Sequence, residues 1–269
     1  MVKVDMTRKE KRTRTLRSIL QAYKEGRIDL KTAEREMNLF SIEKLREIAS
    51  IDPSRHLRRG VPEVVLADSK SVKDTVKIAL SLLERNGYVF LTRVNMELYQ
   101  ELAEAVKGEE RLVIRYNELG RTLIITEKDE PLSSGGKVGI ITAGTSDIPV
   151  AEEAREACEF MGCEVVRAYD VGISALHRLF SPLIEMIEYG VSVVIVVAGM
   201  EGALPSVISS LISVPVIGIP TSVGYGFGGK GEAALKAMLQ SCSPGVVVVN
   251  IDNGFGAGIT AALIARQVG

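Results

Sequence analysis

Two side chains stand out for the chemistry they could perform. Cys242 lies in Ser241-Cys242-Ser243-Pro244-Gly245, a loop composition. A loop thiol becomes a thiolate nucleophile when cations or helix ends lie near it. Spacing alone also allows a plain surface thiol. The other two cysteines, Cys158 and Cys163, fall in a helical and a strand segment, where small buried apolar residues are expected. Glu201 follows an apolar segment and sits between Gly199 and Gly202. A carboxyl group buried at the mouth of a dry sheet edge gains a raised pKa and can move protons. The alternative is a rim carboxylate in water. His177-Arg178 offers a guanidinium fork for an anion, or a surface arginine beside a packed histidine. His56, in Arg55-His56-Leu57-Arg58-Arg59, reads as a loop residue.

Five segments rich in glycine and small polar residues surround these candidates. They are Ala143-Gly144-Thr145-Ser146-Asp147, Asp170-Val171-Gly172-Ile173-Ser174, Ala198-Gly199-Met200-Glu201-Gly202, the run 220–229 with Thr221, Ser222 and Gly224, and Ile251-Asp252-Asn253-Gly254. Each follows a largely apolar strand pattern (137–142, 164–169, 191–197, 215–219, 245–250). Each precedes a helical pattern (149–161, 174–189, 203–212, 230–241, 255–267). Such alternation, with strands apolar on both faces, predicts a parallel sheet covered on both sides. The expected class is therefore α/β, with a flavodoxin-like doubly wound sheet of five strands. Ligands of such sheets bind beyond the carboxyl ends of the strands, the edge all five loops share. Gly144 lets a ligand approach the backbone, and Thr145 and Ser146 bring hydroxyls to a helix start. Amides there suit a phosphate or carboxylate, although N-capping by Ser146 or Asp147 needs no ligand.

Cys242 breaks this pattern. It precedes the fifth strand and so belongs to the amino edge, whereas Glu201 and Ser146 belong to the carboxyl edge. Strands of about 5–6 residues separate the edges by roughly 17–20 Å. A catalytic Cys242 therefore requires a second subunit to supply it.

The elements before residue 127 are of another kind. Residues 8–50 read as charged helices, with Leu16, Ile19, Leu20 and Tyr23 at helical spacing, a second helix from Leu30, and Ser41 capping a third that runs to Ile48. Residues 60–126 read as a smaller α/β portion: strands at 62–66, 88–93, 112–114 and 122–126, helices at 71–86 and 96–107. The run 127–136, EKDEPLSSGG, has linker composition, so a domain of residues 1–130 and another of 137–269 are expected. A net charge of -1 supplies no basic field for nucleic acid. No long apolar run predicts a membrane span, and the charged start lacks a secretory signal, so a cytoplasmic location is expected. Three cysteines make no disulfide framework.

The first loop, the His177-Arg178 pair and the Ala198-Gly199…Leu204-Pro205 segment resemble the aminoimidazole ribonucleotide carboxylase family of purine synthesis. That resemblance implies a ribonucleotide at the carboxyl edge, CO2 as a reactant, and an octamer. Directly before the Leu-Pro pair that family carries a catalytic His. Here the position is Ala203, with Glu201 nearby. The stretches TAGTSDIPVAEEA, YDVGISALHRLF, VAGMEGALPSV, PTSVGYG, SCSPG and VVNIDNGFGAG, with Arg59-Gly60-Val61-Pro62-Glu63 before them, resemble the LarB family of nickel-pincer nucleotide cofactor biosynthesis.

The second resemblance implies carboxylation of the pyridinium ring of nicotinic acid adenine dinucleotide and cleavage of its phosphoanhydride with release of AMP. Cys242 would form the covalent adduct and Glu201 would be the base. Ser146, Asp147 and Arg178 would hold nucleotide or carboxylate groups, and the small loops around Gly199 and Gly224 would shape a CO2 pocket. CO2 or bicarbonate is the co-substrate, no tightly bound cofactor or protein metal site is expected, and Mg2+ is a candidate companion of the phosphates. The expected partners are a nucleotide and further copies of the chain in a homo-oligomer with composite sites, not nucleic acid or membrane. A purine-pathway carboxylase or mutase and a non-catalytic nucleotide sensor are the competing readings.

Overall fold

The computed structural model describes residues 16–37, 43–45, 49–51, 60–68, 70–127 and 136–268. These form two compact units, one of the described residues to 116 with 123–127, the other of 117–122 with 136–268.

In the first unit, helices α1 (Leu16–Lys24) and α2 (Leu30–Met37) bury Ile19, Ala22, Ile28 and Ala33 in a small cluster. Residues Glu43–Leu45, expected in a helix that runs to Ile48, instead make strand β1 (Glu43–Leu45), paired antiparallel with β2 (Ala49–Ile51), Leu45 opposite Ala49. Strand pairing here satisfies backbone groups that helix propensity would have satisfied locally, and context overrides the weaker preference. Ser41 and His56 lie outside the described residues. The remainder is β3 (Val64–Leu66), α3 (Val72–Asn86), β4 (Tyr88–Thr92), α4 (Met96–Ala105), β5 (Leu112–Asn117) and β6 (Thr122–Glu127), with sheet order β3-β4-β6-β5, the end residues Asn117 and Thr122 being counted with the second unit. Helix α3 starts where Ser71 accepts the Asp74 amide at 3.1 Å and stops at Gly87, whose φ of 81° suits glycine.

The second unit alternates strand and helix: β7 (Lys137–Thr142), α5 (Ile148–Phe160), β8 (Glu164–Ala168), α6 (Phe180–Tyr189), β9 (Val193–Ala198), α7 (Leu204–Ser209), β10 (Val216–Pro220), α8 (Glu232–Leu239), β11 (Val246–Val248) and α9 (Gly254–Val268). Its sheet runs β11-β10-β9-β7-β8, with neighbouring strands parallel, which is the flavodoxin-like order expected. The three inner strands are the apolar ones and are almost wholly buried, whereas β8 and β11 at the edges are not. One face packs Ile141, Val194 and Val196 against Leu183, Met186, Leu204, Ile208 and Met238 of α6, α7 and α8. Strand alternation turns Ile140 and Ile195 to the other face.

Helices α5 and α9 approach each other closely because small residues line the contact. A Cβ at Gly258 would lie 2.5 Å from the Ala154 carbonyl oxygen, and one at Gly254 2.3 Å from that of Val150. Cys158 sits in this contact, fully buried, with its thiol on the Gly258 carbonyl at 3.4 Å, and burial pushes the thiol pKa up. Cys163 is buried as well.

A second departure concerns residues 173–178. The expected helix at 174–189 begins only at Phe180, and a tight 3-10 segment with a kink at Ala175 precedes it. Pro182 has no amide to donate and therefore belongs in a first helical turn, which places the start near 180.

The polar face of α5 carries one cation among carboxylates. Arg155 reaches Glu152 at 2.8 Å, Glu156 at 2.7 Å and Glu159 at 2.8 Å. Burial works to raise the Glu152 carboxyl, but hydrogen bonds from Arg155, Tyr169 and Asn117 hold it at about 2. The folded value lies below the unfolded one, so this stabilisation is present above about pH 4.5 and is lost as pH falls towards 2. Arg155→Met should cost about 3 kcal/mol near neutral pH by stranding carboxylates. Thermal denaturation against pH checks it: the gap between variant and parent should narrow below pH 4.5, and a constant gap contradicts the account.

Candidate active site

The loops after β7, β8 and β9 and Val223 of the loop after β10 enclose an open cleft of about 270 Å³. It lies at the carboxyl edge, beside β7, where the strand order reverses between β8 and β9.

One buried carboxylate organises these loops. Asp147 accepts the Thr221 hydroxyl at 2.7 Å on one oxygen and the Gly144 amide at 3.0 Å on the other, and the Gly199 amide also points to it. It thus joins the loops after β7, β9 and β10. Burial pushes its pKa up, and these donors pull against that shift. Gly199 is required at the same point. A Cβ there would lie 2.3 Å from the Val223 carbonyl oxygen and 2.7 Å from the Thr221 hydroxyl. The loop after β8 is tied separately: the Asp170 amide donates to the Thr142 hydroxyl at 3.0 Å, and a Cβ at Gly172 would lie 2.5 Å from the Ala143 carbonyl oxygen.

The backbone is bent hard at this edge. Of six non-glycine residues with positive φ among the described residues, Asp170, Met200, Lys230 and Asp252 stand in the carboxyl-edge loops. Such conformations cost about 1 kcal/mol or more each and persist where surrounding bonds over-determine them.

Of the residues singled out from sequence, Gly144, Ser146, Asp147 and Ser174 line the cleft, as do Gly199, Met200, Glu201 and Gly202. Thr145 begins the turn beside it and is exposed. Thr221 lies beneath, bound to Asp147, and Gly224 follows the cleft-lining Val223. Arg178 is turned to Asp170, 3.2 Å away, both exposed, and His177 is exposed too. The Ser222 amide donates to Asp252 at 2.8 Å, and the Asn253 side chain caps α9 by accepting the Gly256 amide at 2.9 Å. The Ser222 amide and the Asn253 side chain thus brace their loops, and neither residue is among those lining the cleft in one chain.

Glu201 departs from expectation in one respect. Its side chain is exposed on the rim, so the burial foreseen for it is absent within one chain. Ile173, Ala203, Leu204 and Val223 also line the cleft. Ala203 was visible from sequence as a departure from a motif. Val223 had no chemical signal, and its place follows from its carbonyl accepting the Met200 amide at 3.1 Å.

Cys242 is exposed and lies in the connection between α8 and the start of β11, at the amino edge of the sheet. Serines fix that connection. Ser206 donates to Ser241 at 2.7 Å, and Ser209 lies 2.8 Å from both the Ser243 hydroxyl and the Pro244 carbonyl. Among the described residues no group of three His, Cys, Asp or Glu is placed to hold a metal ion, and no helix is long and apolar enough to cross a membrane.

These features define a doubly wound α/β protein with an open cleft at its switch point. Residues 137–268 match the family described as AIR carboxylase, and residues 42–128 match the LarB/PurE-like N-terminal domain. An uncharacterized protein of Methanocaldococcus jannaschii is 48% identical over 255 residues, covering 94% of this chain and 98% of that one. The N5-carboxyaminoimidazole ribonucleotide mutase of Thermotoga maritima is 34% identical over 135 residues, 48% of this chain and 74% of that one. That of Pyrococcus horikoshii is 33% identical over 151 residues, 54% of this chain and 77% of that one. The chain belongs to the AIR carboxylase family and carries a LarB/PurE-like N-terminal domain. The Thermotoga and Pyrococcus relatives are named as enzymes, and the function of this chain is related to carboxylase and mutase chemistry.

The Asp147 arrangement is testable by itself. Thr221→Val removes the 2.7 Å donor from a buried carboxylate and should cost about 1–3 kcal/mol. The carboxyl pKa already lies above its unfolded value, so losing a donor raises it further and the penalty grows as pH rises. Melting temperatures should show a larger deficit at pH 7 than near pH 4. Equal deficits would mean that Asp147 is not the group affected.

Proposed function

We propose that this protein carboxylates the pyridinium ring of nicotinic acid adenine dinucleotide and cleaves its phosphoanhydride, giving pyridinium-3,5-biscarboxylic acid mononucleotide and AMP for nickel-pincer cofactor synthesis. The observation that carries this reading is the state of the cleft's carboxylates. Asp147 has both oxygens engaged by loop donors, which leaves Glu201 as the uncommitted titratable side chain among the described residues lining the cleft. Ala203, at the position of the purine enzymes' catalytic His, also lines it. A site without that imidazole is poorly suited to the purine reaction and needs another way to make a carbon nucleophile.

A pyridinium ring is electron-poor and does not attack CO2. Addition of the Cys242 thiolate to the ring removes its aromaticity and leaves an enamine with electron density at C5. The C5 pair then forms a bond to the carbon of CO2. Glu201 takes the C5 proton, the ring recovers its π electrons, and the carbon–sulfur bond breaks to release the thiolate. The net change is replacement of a ring proton by a carboxylate, and water then cleaves the phosphoanhydride. Covalent catalysis divides an inaccessible step into feasible ones. Ser146 and Ser174 place hydroxyls on the cleft wall for ribose or phosphate oxygens. Any Mg2+ would enter with the phosphates.

The reaction needs Cys242 of one protomer in the cleft of another, and two features support such an assembly, which the family resemblance makes an octamer. Helix α6 exposes Phe180, Ile184 and Ile187, an apolar stripe at helical spacing. Glu201, exposed on the cleft rim, is accessible to a second chain that would cover it.

Incubation with the dinucleotide and labelled bicarbonate, read by mass spectrometry, tests the reaction. The parent should form labelled product and AMP, Cys242→Ser none, and Glu201→Gln about 100-fold less. Mixed oligomers of the two inactive variants should recover roughly a quarter of parental activity, since random mixing rebuilds one site in four. No recovery in verified mixed oligomers contradicts the composite site. Turnover of aminoimidazole ribonucleotide with none of the dinucleotide would favour the purine reading.

A further inference from the structure

The cleft is too small for the whole proposed substrate. At about 270 Å³ it falls below the roughly 300–1,000 Å³ of sites that enclose drug-sized ligands, and a dinucleotide carries two nucleosides. If the pyridinium half enters beside Glu201, the adenosine half must lie outside.

The loop after β10 offers the nearest surface for it. Tyr225 and Phe227 are the two most exposed large hydrophobic side chains among the described residues, at 81% and essentially complete exposure. Aromatic rings held in water gain nothing for the fold, and large exposed apolar groups at a site edge mark a binding surface. The loop is firmly held at both ends. Val223 lines the cleft and accepts the Met200 amide, while a Cβ at Gly228 would lie 2.3 Å from that of Ala233 in the first turn of α8. Gly226, between the aromatics, has φ of 71° with open space where a Cβ would lie, so it serves conformation and not packing. Tyr225 is two residues beyond Val223, hence within about 7 Å of the cleft wall along the chain. Lys230, exposed at the end of the same loop, supplies a positive charge suited to a phosphoanhydride.

We infer that Tyr225 and Phe227 form a stacking platform for the purine base of the dinucleotide, holding outside the cleft the half that leaves as AMP. The inference rests on the reaction proposed above and assigns recognition of its leaving half. Base–aromatic stacking is strong enough that each ring should matter by several-fold or more in affinity.

Tyr225→Ala and Phe227→Ala, singly and together, test it in the full-length oligomer. The expected result is a 5- to 100-fold rise in KM for nicotinic acid adenine dinucleotide, with kcat within about two-fold. AMP binding by calorimetry should weaken in parallel, binding of nicotinic acid mononucleotide should not change, and Tyr225→Phe and Phe227→Tyr should restore parental values. Unchanged KM and AMP affinity, or equal loss for both mononucleotides, overturns the platform. A changed subunit number by sedimentation in the alanine variants also overturns it and assigns the aromatics to a contact between copies. A parent chain that turns over no dinucleotide refutes the proposed reaction alone, because AMP binding by parent and variants still reports on the platform.

Discussion

The carboxyl edge of this protein is organised by the Asp147 side chain. A charge taken out of water must recover its hydration from fixed donors, and the three donors near Asp147 belong to three loops. Satisfying the carboxylate and assembling the loops are therefore one event. The absence of a side chain at Gly199 is part of the same arrangement, because any Cβ would push the Val223 and Thr221 segments away from it. What this leaves open is a cleft walled by small residues, with bent backbone at Met200 and a carboxylate, Glu201, that no loop consumes.

The second constraint is the length of a strand. A thiol before β11 and a carboxylate after β9 lie at opposite ends of one sheet, and no rearrangement of side chains crosses that distance. The serine bonds from α7 to the Cys242 connection hold the thiol on its own side. The proposed chemistry then makes assembly part of catalysis: one protomer binds the ring, and another supplies the nucleophile and the desolvation Glu201 lacks in isolation.

Sequence alone revealed the second unit well because its signals are local. Apolar β-branched runs separated by Gly-rich turns announce strands with their ligand edge, and the observed bounds differ by one or two residues at most ends. What it could not reveal depends on non-local partners. That Thr221, 74 residues away, donates to Asp147 is invisible in the local sequence. The Ser222 amide and the Asn253 side chain also brace loops, through partners that spacing does not show. Residues Glu43–Leu45 carry a helix-compatible pattern that pairing overrides. Tyr225 and Phe227 passed unmarked because aromatic residues usually signal core, and only their exposure distinguishes them.

The claim on which the mechanism turns is that sulfur from Cys242 bonds to the substrate ring. Glu201→Gln should stall the reaction after that bond forms. Peptide mass spectrometry of this variant, quenched with nicotinic acid adenine dinucleotide and bicarbonate present, should find the peptide containing Cys242 heavier by the pyridine nucleotide. Ring carboxylation by the parent, with that peptide unmodified in parent and variant alike under every quench, would contradict the account.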